Sequence, residues 1–461
     1  MNLDAFRAAI DGIEVEDRPN IVRLKSRDFF WYSPILKRQL DGFVGDLVVS
    51  PKDEDEVVRI LAAAYANDVP VTVRGGGTGN YGQSMPLQGG VVLHTNKLVG
   101  ITQLGEDTVT ARAGTIIEHI EHHLREHGRE IRLFPSTTAS ASIGGFIAGG
   151  SSGVGAIRWG GLRNPANIRR VRLVTMEETP RILDLTGEDI HKAAHAYGVN
   201  GVMTEIEIPV DPSSDWVDVM VTTPDFAGAN DLAISLGENT AVLLRMLSSF
   251  AAPIPELFFQ RFRPFVGTGR GVIAAMVRRE DLPAFTAHLA QWPTAELVYR
   301  ADQADPALRL PAVFEMAWNH TTLRAIKTDP GLTYLQMMFP RDAMAETIAA
   351  LDTHFGDEIM LHFEFTRFSG VVSPVAMPII RFSTEERLEA LIAALERDFG
   401  ITVFNPHRVT LEEGGMKRTD ISQLEFKRQT DPKGLMNPGK MIAWTHPDWQ
   451  PEAGKSFLFQ E

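Results

Sequence analysis

Cysteine is absent from the 461-residue chain, which removes disulfides, zinc-thiolate sites, iron–sulfur ligation and thiol nucleophiles from consideration together. A surplus of positive charge is also missing. The net charge of -14 is the wrong sign for a face that grips nucleic acid or an anionic membrane. No stretch approaches the roughly 20 consecutive apolar residues of a membrane-crossing helix. The opening MNLDAFRAAIDGIEVEDRPN carries acids where a secretory signal carries a basic start and an apolar run, so a cytoplasmic protein with no integral membrane segment is expected. There is no fixed short repeat and no low-complexity linker.

What is there is the composition of a globular protein, 44% hydrophobic and 23% charged, in a chain long enough for about two or three domains. From residue 46, DLVVS reads as a strand and DEDEVVRILAAAYAND as a helix with acids in its first turn. VPVTVRG, GGVVLHT and DTVTARAG follow as strands, and TIIEHIEHHLREHG as a helix ended by Gly128. NIRRVRLVTME and RILDL look like paired strands, TGEDIHKAAHAYG like a capped helix and VNGVMTEIEIPV like a strand. Beyond residue 209 the glycine loops stop. Strands and amphipathic helices alternate to about residue 402, and HFEFTRF alternates as a strand of an antiparallel sheet does.

VTVRGGGTGNYGQS, residues 71–84, contains a literal G-x-G-x-x-G in Gly77, Gly79 and Gly82. A dinucleotide turn must open a helix, whose positive end receives the pyrophosphate. Here QSMPLQGGVVLHT follows, with Pro86, Gly89 and Gly90, and no helix fits; no Gly-Lys-Ser/Thr marks a P-loop either. What remains is a nest of bare amides from Gly75, Gly76 and Gly77, which take positive φ, with side-chain donors from Thr78 and Asn80. The plain alternative is a glycine-rich surface turn. A second small-residue region, FPSTTASASIGGFIAGGSSGVGAIRWGG over residues 134–161, favours the nest, because two such loops clasp a long diphosphate from both sides.

These pieces resemble the FAD-binding oxidoreductases of the vanillyl-alcohol oxidase type, the PCMH flavin fold. DLVVSPKDEDEVVRILAAAYANDVPVTVRGGGTG resembles the family's opening, SIGGFIAGGSSG with RWG its second loop, and GVNGVMTEIEI its short G-x-x-G element. TDPKGLMNPGK resembles the C-terminal signature of the glycolate oxidase and D-lactate dehydrogenase-like branch. That branch's G-H-x-G-D-G-N-x-H metal segment and E-H-G-[IV]-G have no clear counterpart, the nearest stretches being LHFEFTRF and LEEGGMKR, and no metal site is assigned.

The resemblance implies an α+β protein: a PCMH-type FAD-binding domain over residues 1–212, an inserted α+β substrate (cap) domain of antiparallel sheet plus helices over 213–412, and a return over 413–461. Arg74, Gly75, Gly76, Gly77, Thr78, Gly79 and Asn80 would wrap the FAD pyrophosphate. Pro135, Ser136 and Thr137 would lead into a second wall of Ser142, Gly144, Gly145, Gly150, Ser151, Ser152 and Gly153. Trp159 and Gly160 would lie along the cofactor, Gly201, Val202 and Thr204 near its ADP part, and Asn437 near the isoalloxazine. Thr78 stands where some relatives place a flavin-linking histidine, so non-covalent FAD is expected.

A flavin accepts the electrons, which leaves the protein to bind substrate and remove a proton, a task suited to histidine. PAVFEMAWNHTTLRAIK gathers Glu315, Trp318, Asn319, His320 and Arg324, with His320 as base and Arg324 as carboxylate clamp; the rival reading is a helix start capped by Asn319 with His320 in water. On LHFEFTRF, His362 and Glu364 share one face and form an acid/base pair, unless that face is wet and only the aromatics are core. His407 in FNPHRV is a third candidate base. His119, His122, His123 and His127 have metal-ligand spacing, but their interleaved Glu and Arg describe a solvated helix face. The expected activity is FAD-dependent oxidation of an alcohol or 2-hydroxy acid by hydride transfer to flavin N5. The partners are a small-molecule substrate and oxygen, a quinone or an electron-transfer protein as acceptor, with a homodimer compatible with the chain. The alternatives are a sugar, aldonolactone or phenolic alcohol oxidase of the same fold, or a flavin-carrying subunit without chemistry.

Overall fold

The computed structural model describes residues 1–414 and 420–450, so part of LEEGGMKR and the last residues of the C-terminal return lie outside the described residues. The chain forms two compact units. Unit 1 comprises Met1–Ser151, Leu162–Ser213 and Pro406–Glu461; unit 2 comprises Ser152–Gly161 and Ser214–Asn405.

Unit 1 holds two sheets. The first is built from β1 (Glu14–Glu16), β2 (Leu47–Ser50), β3 (Val71–Arg74) and β4 (Val91–His94) in the order β1-β2-β4-β3. β4 lies parallel to both β2 and β3, and β2 and β4 are buried along their whole length, as strands covered on both faces must be. The helix Glu54–Ala66 starts where expected, because the Asp53 carboxylate accepts from the Glu56 amide and three acids crowd the first turn. The second sheet runs β5 (Ile101–Leu104), β6 (Thr108–Arg112), β10 (Val202–Pro212), β8 (Arg170–Val174), β9 (Ile182–Thr186), with β7 (Arg129–Ile131) added to the far end of β10. The helix Ile117–Glu126 is followed by Gly128 at φ +69°, the left-handed stop that its sequence implied.

The segment TGEDIHKAAHAYG is not a regular helix. Gly187–Lys192 is a single 3-10 stretch, and His195 and Tyr197 then take φ of 53° and 51°. Buried hydrogen bonds override local propensity here: His195 and Tyr197 donate their amides to Ile147 and Ala148 carbonyls, and the Gln423 side chain donates to the His191 and Ala194 carbonyls.

Unit 2 is an antiparallel sheet of β11 (Trp216–Thr223), β12 (Leu244–Phe250), β13 (Gly271–Arg278), β14 (Glu296–Arg300), β16 (Gln336–Met338), β18 (His362–Phe368), β19 (Val371–Ala376) and β21 (Thr402–Phe404). Its order is β14-β11-β13-β12-β18-β19-β16-β21. A small second sheet orders β15 (Leu332–Tyr334), β20 (Ile379–Arg381) and β17 (Ile359–Met360). The helix Phe226–Glu238, capped by Asp225, packs on β12 and β13. β12 and most of β13 and β18 are buried on both faces, so His362, Glu364 and Thr366 of β18 are dry. Among the described residues no helix is long and apolar enough to cross a membrane.

The C-terminal signature is tied together by a buried ion pair. Lys427 Nζ lies 2.5 Å from Asp431 Oδ2 and also donates to the Val199 and Met436 carbonyls, while the Asp431 carboxylate accepts from the Leu435 and Met436 amides. Every polar atom of the pair thus has a partner, the condition under which a buried pair is tolerated. Asp431→Asn leaves Lys427 without a counter-charge and is expected to lower the unfolding free energy by about 3–5 kcal/mol. The exposed pair Lys433–Asp68 is the control: Lys433→Ala should cost under about 1 kcal/mol in the same denaturant series. Equal effects of the two substitutions would contradict this reading.

Candidate functional site

In unit 1 the loop after β3 meets the start of the helix Ile143–Gly149. A Cβ on Gly75 would overlap Ser142 Oγ, and one on Gly76 would overlap the Ser140 carbonyl oxygen. Gly75 is therefore required by the close approach of the Ser142 side chain and Gly76 by that of the Ser140 backbone, and only Gly77, at φ +68°, uses the left-handed freedom expected of all three. A Cβ on Gly77 would strike the Arg74 guanidinium, which folds back beneath the loop. On the other side, Ser142 caps its helix by accepting from the Gly145 amide at 3.3 Å, and Gly144 packs against Ala113, where a Cβ would lie 2.8 Å from the alanine methyl. Pro135, Ser136 and Thr137 lead into this wall through a tight turn, the Thr137 carbonyl accepting from the Ser140 and Ala141 amides. Gly150 ends the helix at φ +71°, with His195 packed where a side chain would go.

The electrostatics fit an anion. Arg74 donates to the Arg27 carbonyl, and its buried Nε has no partner among the described residues. Burial lowers its pKa, opposed by Asp28. His94 is pushed down to about 3 by burial and by the neighbouring Lys25 and Arg74 charges, so it adds no positive charge of its own at neutral pH. Behind the loop, burial drives Lys440 down to about 7 and Asp28 up to about 6, each charge favouring the other's charged form. A glycine nest, an unsatisfied guanidinium nitrogen and a surplus of cations in a chain of net charge -14 form a cradle suited to the diphosphate of FAD.

The C-terminal return sets the far edge of that cradle. Leu435 and Asn437 flank β3 as an added parallel bridge, with Val71 N donating to Leu435 O at 2.9 Å and Asn437 N to Val71 O at 2.8 Å. Asn437, at φ 39°, gives its side-chain amide hydrogens to the Gln83 and Tyr197 carbonyls. It is therefore a clamp on the loop, with its donors committed to main chain rather than to a flavin ring. Lys440 donates to the Gly82 carbonyl at 2.6 Å. Gly201, at φ +138°, lies so close to the Val174 carbonyl that a Cβ would come within 2.7 Å. Val202 is paired in the sheet with Val174, and Thr204 hydrogen-bonds Glu54 at a bulge.

Ser152, Gly153, Trp159 and Gly160 fall in unit 2, where the Arg158 guanidinium lies 4.3 Å over Trp159. Ser151 is exposed at the end of the unit 1 segment.

The substrate-side candidates divide between the units. His407 belongs to unit 1, fully buried, its Nδ1 2.7 Å from Ser33 Oγ, which also caps the helix Pro34–Leu40. His320, Arg324, His362 and Glu364 belong to unit 2. The helix Asn319–Thr328 begins one residue earlier than its sequence suggests: Trp318 occupies the cap position, without a side-chain cap, and Asn319 is the first helical residue. Trp318 has φ 52° and ψ -143°, a region that costs a non-glycine residue about 1–3 kcal/mol. His320 and Arg324 sit four residues apart on one face of that helix. His320 is held near 4 by burial and by the Arg324 and Lys327 charges, with no hydrogen bond contributing. Arg324 donates to the Glu315 carbonyl and, with Glu315, Arg261 and Gln260, lines a cavity of about 260 Å³.

The tryptophan–histidine cluster and the β18 pair, separate in sequence, are joined in the structure. Glu364 Oε1 lies 2.6 Å from His362 Nε2 and also accepts the Trp318 amide at 2.6 Å, while Oε2 accepts from Ser248 at 2.6 Å. The signal available in sequence was only the alternation of β18; the partners are 46 and 116 positions away. Of the helix histidines, His123 and His127 with Glu126 stand close enough to share an ion on a largely exposed face, although His127 Nδ1 is already bonded to the His123 carbonyl.

Gly76→Ala places a methyl against a carbonyl that cannot move independently of the second loop. FAD binding should weaken about tenfold or more, the equivalent of ~1.4 kcal/mol. Gly42→Ala, with nothing within 4 Å, should leave the protein as yellow as the parent. Fluorescence titration of released FAD checks both, and wild-type affinity in Gly76→Ala would contradict the cradle.

Residues 45–183 match the family described as FAD binding domain. The chain is 33% identical over 432 residues to the D-lactate dehydrogenase of Archaeoglobus fulgidus, covering 88% of this chain and 93% of that protein. It is 23% identical over 427 residues to glycolate oxidase subunit GlcD of Escherichia coli K12, covering 87% and 84% of the two chains. It is 24% identical over 432 residues to the mitochondrial D-2-hydroxyglutarate dehydrogenase of Bos taurus, covering 86% and 76%. A solved structure of alkyldihydroxyacetonephosphate synthase superposes with a TM-score of 0.72 at 14% identity, covering 95% of this chain and 85% of that one, a likeness of fold. The nest, the clamp and these likenesses agree: the chain belongs to the FAD-linked oxidoreductases of the PCMH flavin fold, in the branch that holds D-lactate dehydrogenase and glycolate oxidase.

Proposed function

We propose that this protein oxidises a 2-hydroxy acid, with His320 taking the hydroxyl proton and Arg324 holding the substrate carboxylate. FAD, when bound, supplies the hydride acceptor. The relatives named D-lactate dehydrogenase, glycolate oxidase subunit and D-2-hydroxyglutarate dehydrogenase support the substrate class. The observation that carries the residue assignment is a neutral histidine one helical turn from a guanidinium on a cavity wall. Two guanidiniums, Arg324 and Arg261, and one carboxylate, Glu315, line that cavity, with Glu315 3.6 Å from the Arg324 guanidinium, so one positive charge is left over for a small carboxylate. Burial and the flanking cations hold His320 unprotonated at neutral pH, ready to accept a proton, whereas Nε2 of His362 and Nδ1 of His407 are already committed to Glu364 and Ser33.

Anaerobic mixing of the yellow holoprotein with D-lactate, glycolate, a neutral sugar and an aromatic alcohol tests the substrate class. Bleaching by the hydroxy acids alone is expected; bleaching only by a neutral alcohol would contradict it. His320→Ala should slow flavin reduction by about 10²–10⁴ with FAD retained, and an unchanged rate would move the base elsewhere. Arg324→Ala should raise KM about ten- to a hundredfold, the loss of a charged hydrogen bond of roughly 1.5–3 kcal/mol. Because protonated His320 accepts no proton, the rate should fall as pH drops through about 4 and stay level from pH 5 upward. A midpoint near the ordinary histidine value of about 6.5 would contradict the buried, cation-flanked environment.

A further inference from the structure

We infer that Glu364 is a positioning residue, whose carboxylate fixes the strained turn at Trp318 and thereby the placement of His320 two residues on; the inference rests on His320 as base. The carboxylate is buried and receives three donors, each at 2.6 Å: the Trp318 amide, His362 Nε2 and Ser248 Oγ. Two of these come from the sheet itself, Ser248 from the neighbouring strand and His362 from two residues earlier on the same strand. Ser248 lies directly opposite Glu364 in the β12–β18 register, and Phe250 lies opposite His362, whose ring it stacks on at 4.6 Å. The third donor is the one part of the arrangement outside the sheet, and it belongs to a residue whose φ of 52° is disfavoured for any side-chain-bearing residue.

No side chain caps the helix that follows Trp318; its first backbone bonds run from the His320 amide to the Ala317 carbonyl and from the Thr321 amide to the Trp318 carbonyl. The helix entry is therefore hung on Glu364 from one side and on its own first turn from the other. An acceptor-only group with two oxygens is what three converging donors require. A glutamine keeps one carbonyl oxygen for Trp318 and His362 and turns its amide to the Ser248 hydroxyl, so geometry survives without charge.

Three variants of the FAD-loaded protein, assayed by anaerobic stopped-flow reduction, test the assignment. Glu364→Leu should lower kcat at least tenfold with KM within about threefold, because the carboxylate site at Arg324 is untouched. Glu364→Gln should recover kcat to within about threefold of the parent. Parental kcat in Glu364→Leu would overturn the inference, and so would Glu364→Gln as slow as Glu364→Leu, which would make the carboxylate a proton carrier. Should Glu364→Leu purify without flavin, Ser248→Ala carries the test: a kcat reduced about two- to fivefold is expected, and an unaltered kcat overturns the proposal. His320→Ala separates the two readings, since parental reduction there removes the base itself, whereas loss of reduction there with parental Glu364→Leu removes only the positioning role.

Discussion

The glycine nest that follows β3 is held open by hydrogen bonds from the far end of the chain. Leu435 and Asn437 bond Val71, the Asn437 side chain spans Gln83 and Tyr197, and Lys440 donates to Gly82. A loop with this many glycines has a large conformational entropy to lose. A nest presented to a diphosphate must already be ordered, or the ligand bears the cost of ordering it. The signature TDPKGLMNPGK supplies that order, and its own shape rests on the Lys427–Asp431 pair. The cofactor site thus depends on a buried ion pair in the C-terminal signature.

The same logic recurs in unit 2. A wide antiparallel sheet, buried on both faces at β12 and over most of β18, carries Glu364, and three donors converge on its carboxylate. In both units the proposed binding and catalytic groups sit on loops or helix starts, while the side chains that hold those segments are buried. Buried charge is expensive, and here it is placed where it fixes a backbone segment of unusual conformation.

Much of this was legible in sequence. The strand, helix and strand run into RGGGTGN, the failure of a helix to follow Gly82, and the four matching elements point to the flavin fold. Periodicity also put His362 and Glu364 on one face. What was not legible lies in tertiary contacts. Gly75 and Gly76 were expected to take positive φ, but their need is close approach to Ser142 and Ser140, a contact between loops about 65 positions apart by their numbering. TGEDIHKAAHAYG scores as a helix by composition and gives it up to hydrogen bonds that its own amides donate to Ile147 and Ala148 and that its carbonyls accept from Gln423. Asn319 looked like a cap, and Trp318 took the position because a distant glutamate accepts its amide. Local signals report propensity and alternation; they carry no record of which buried acceptor awaits a given amide.

The central claim is that FAD is held by a backbone-built nest and by no covalent bond. Denaturing the purified protein and assaying flavin in the supernatant tests it directly. The account predicts equimolar FAD released into solution and a colourless polypeptide. Flavin that stays with the denatured chain, or a purified protein that carries and takes up none, would contradict it.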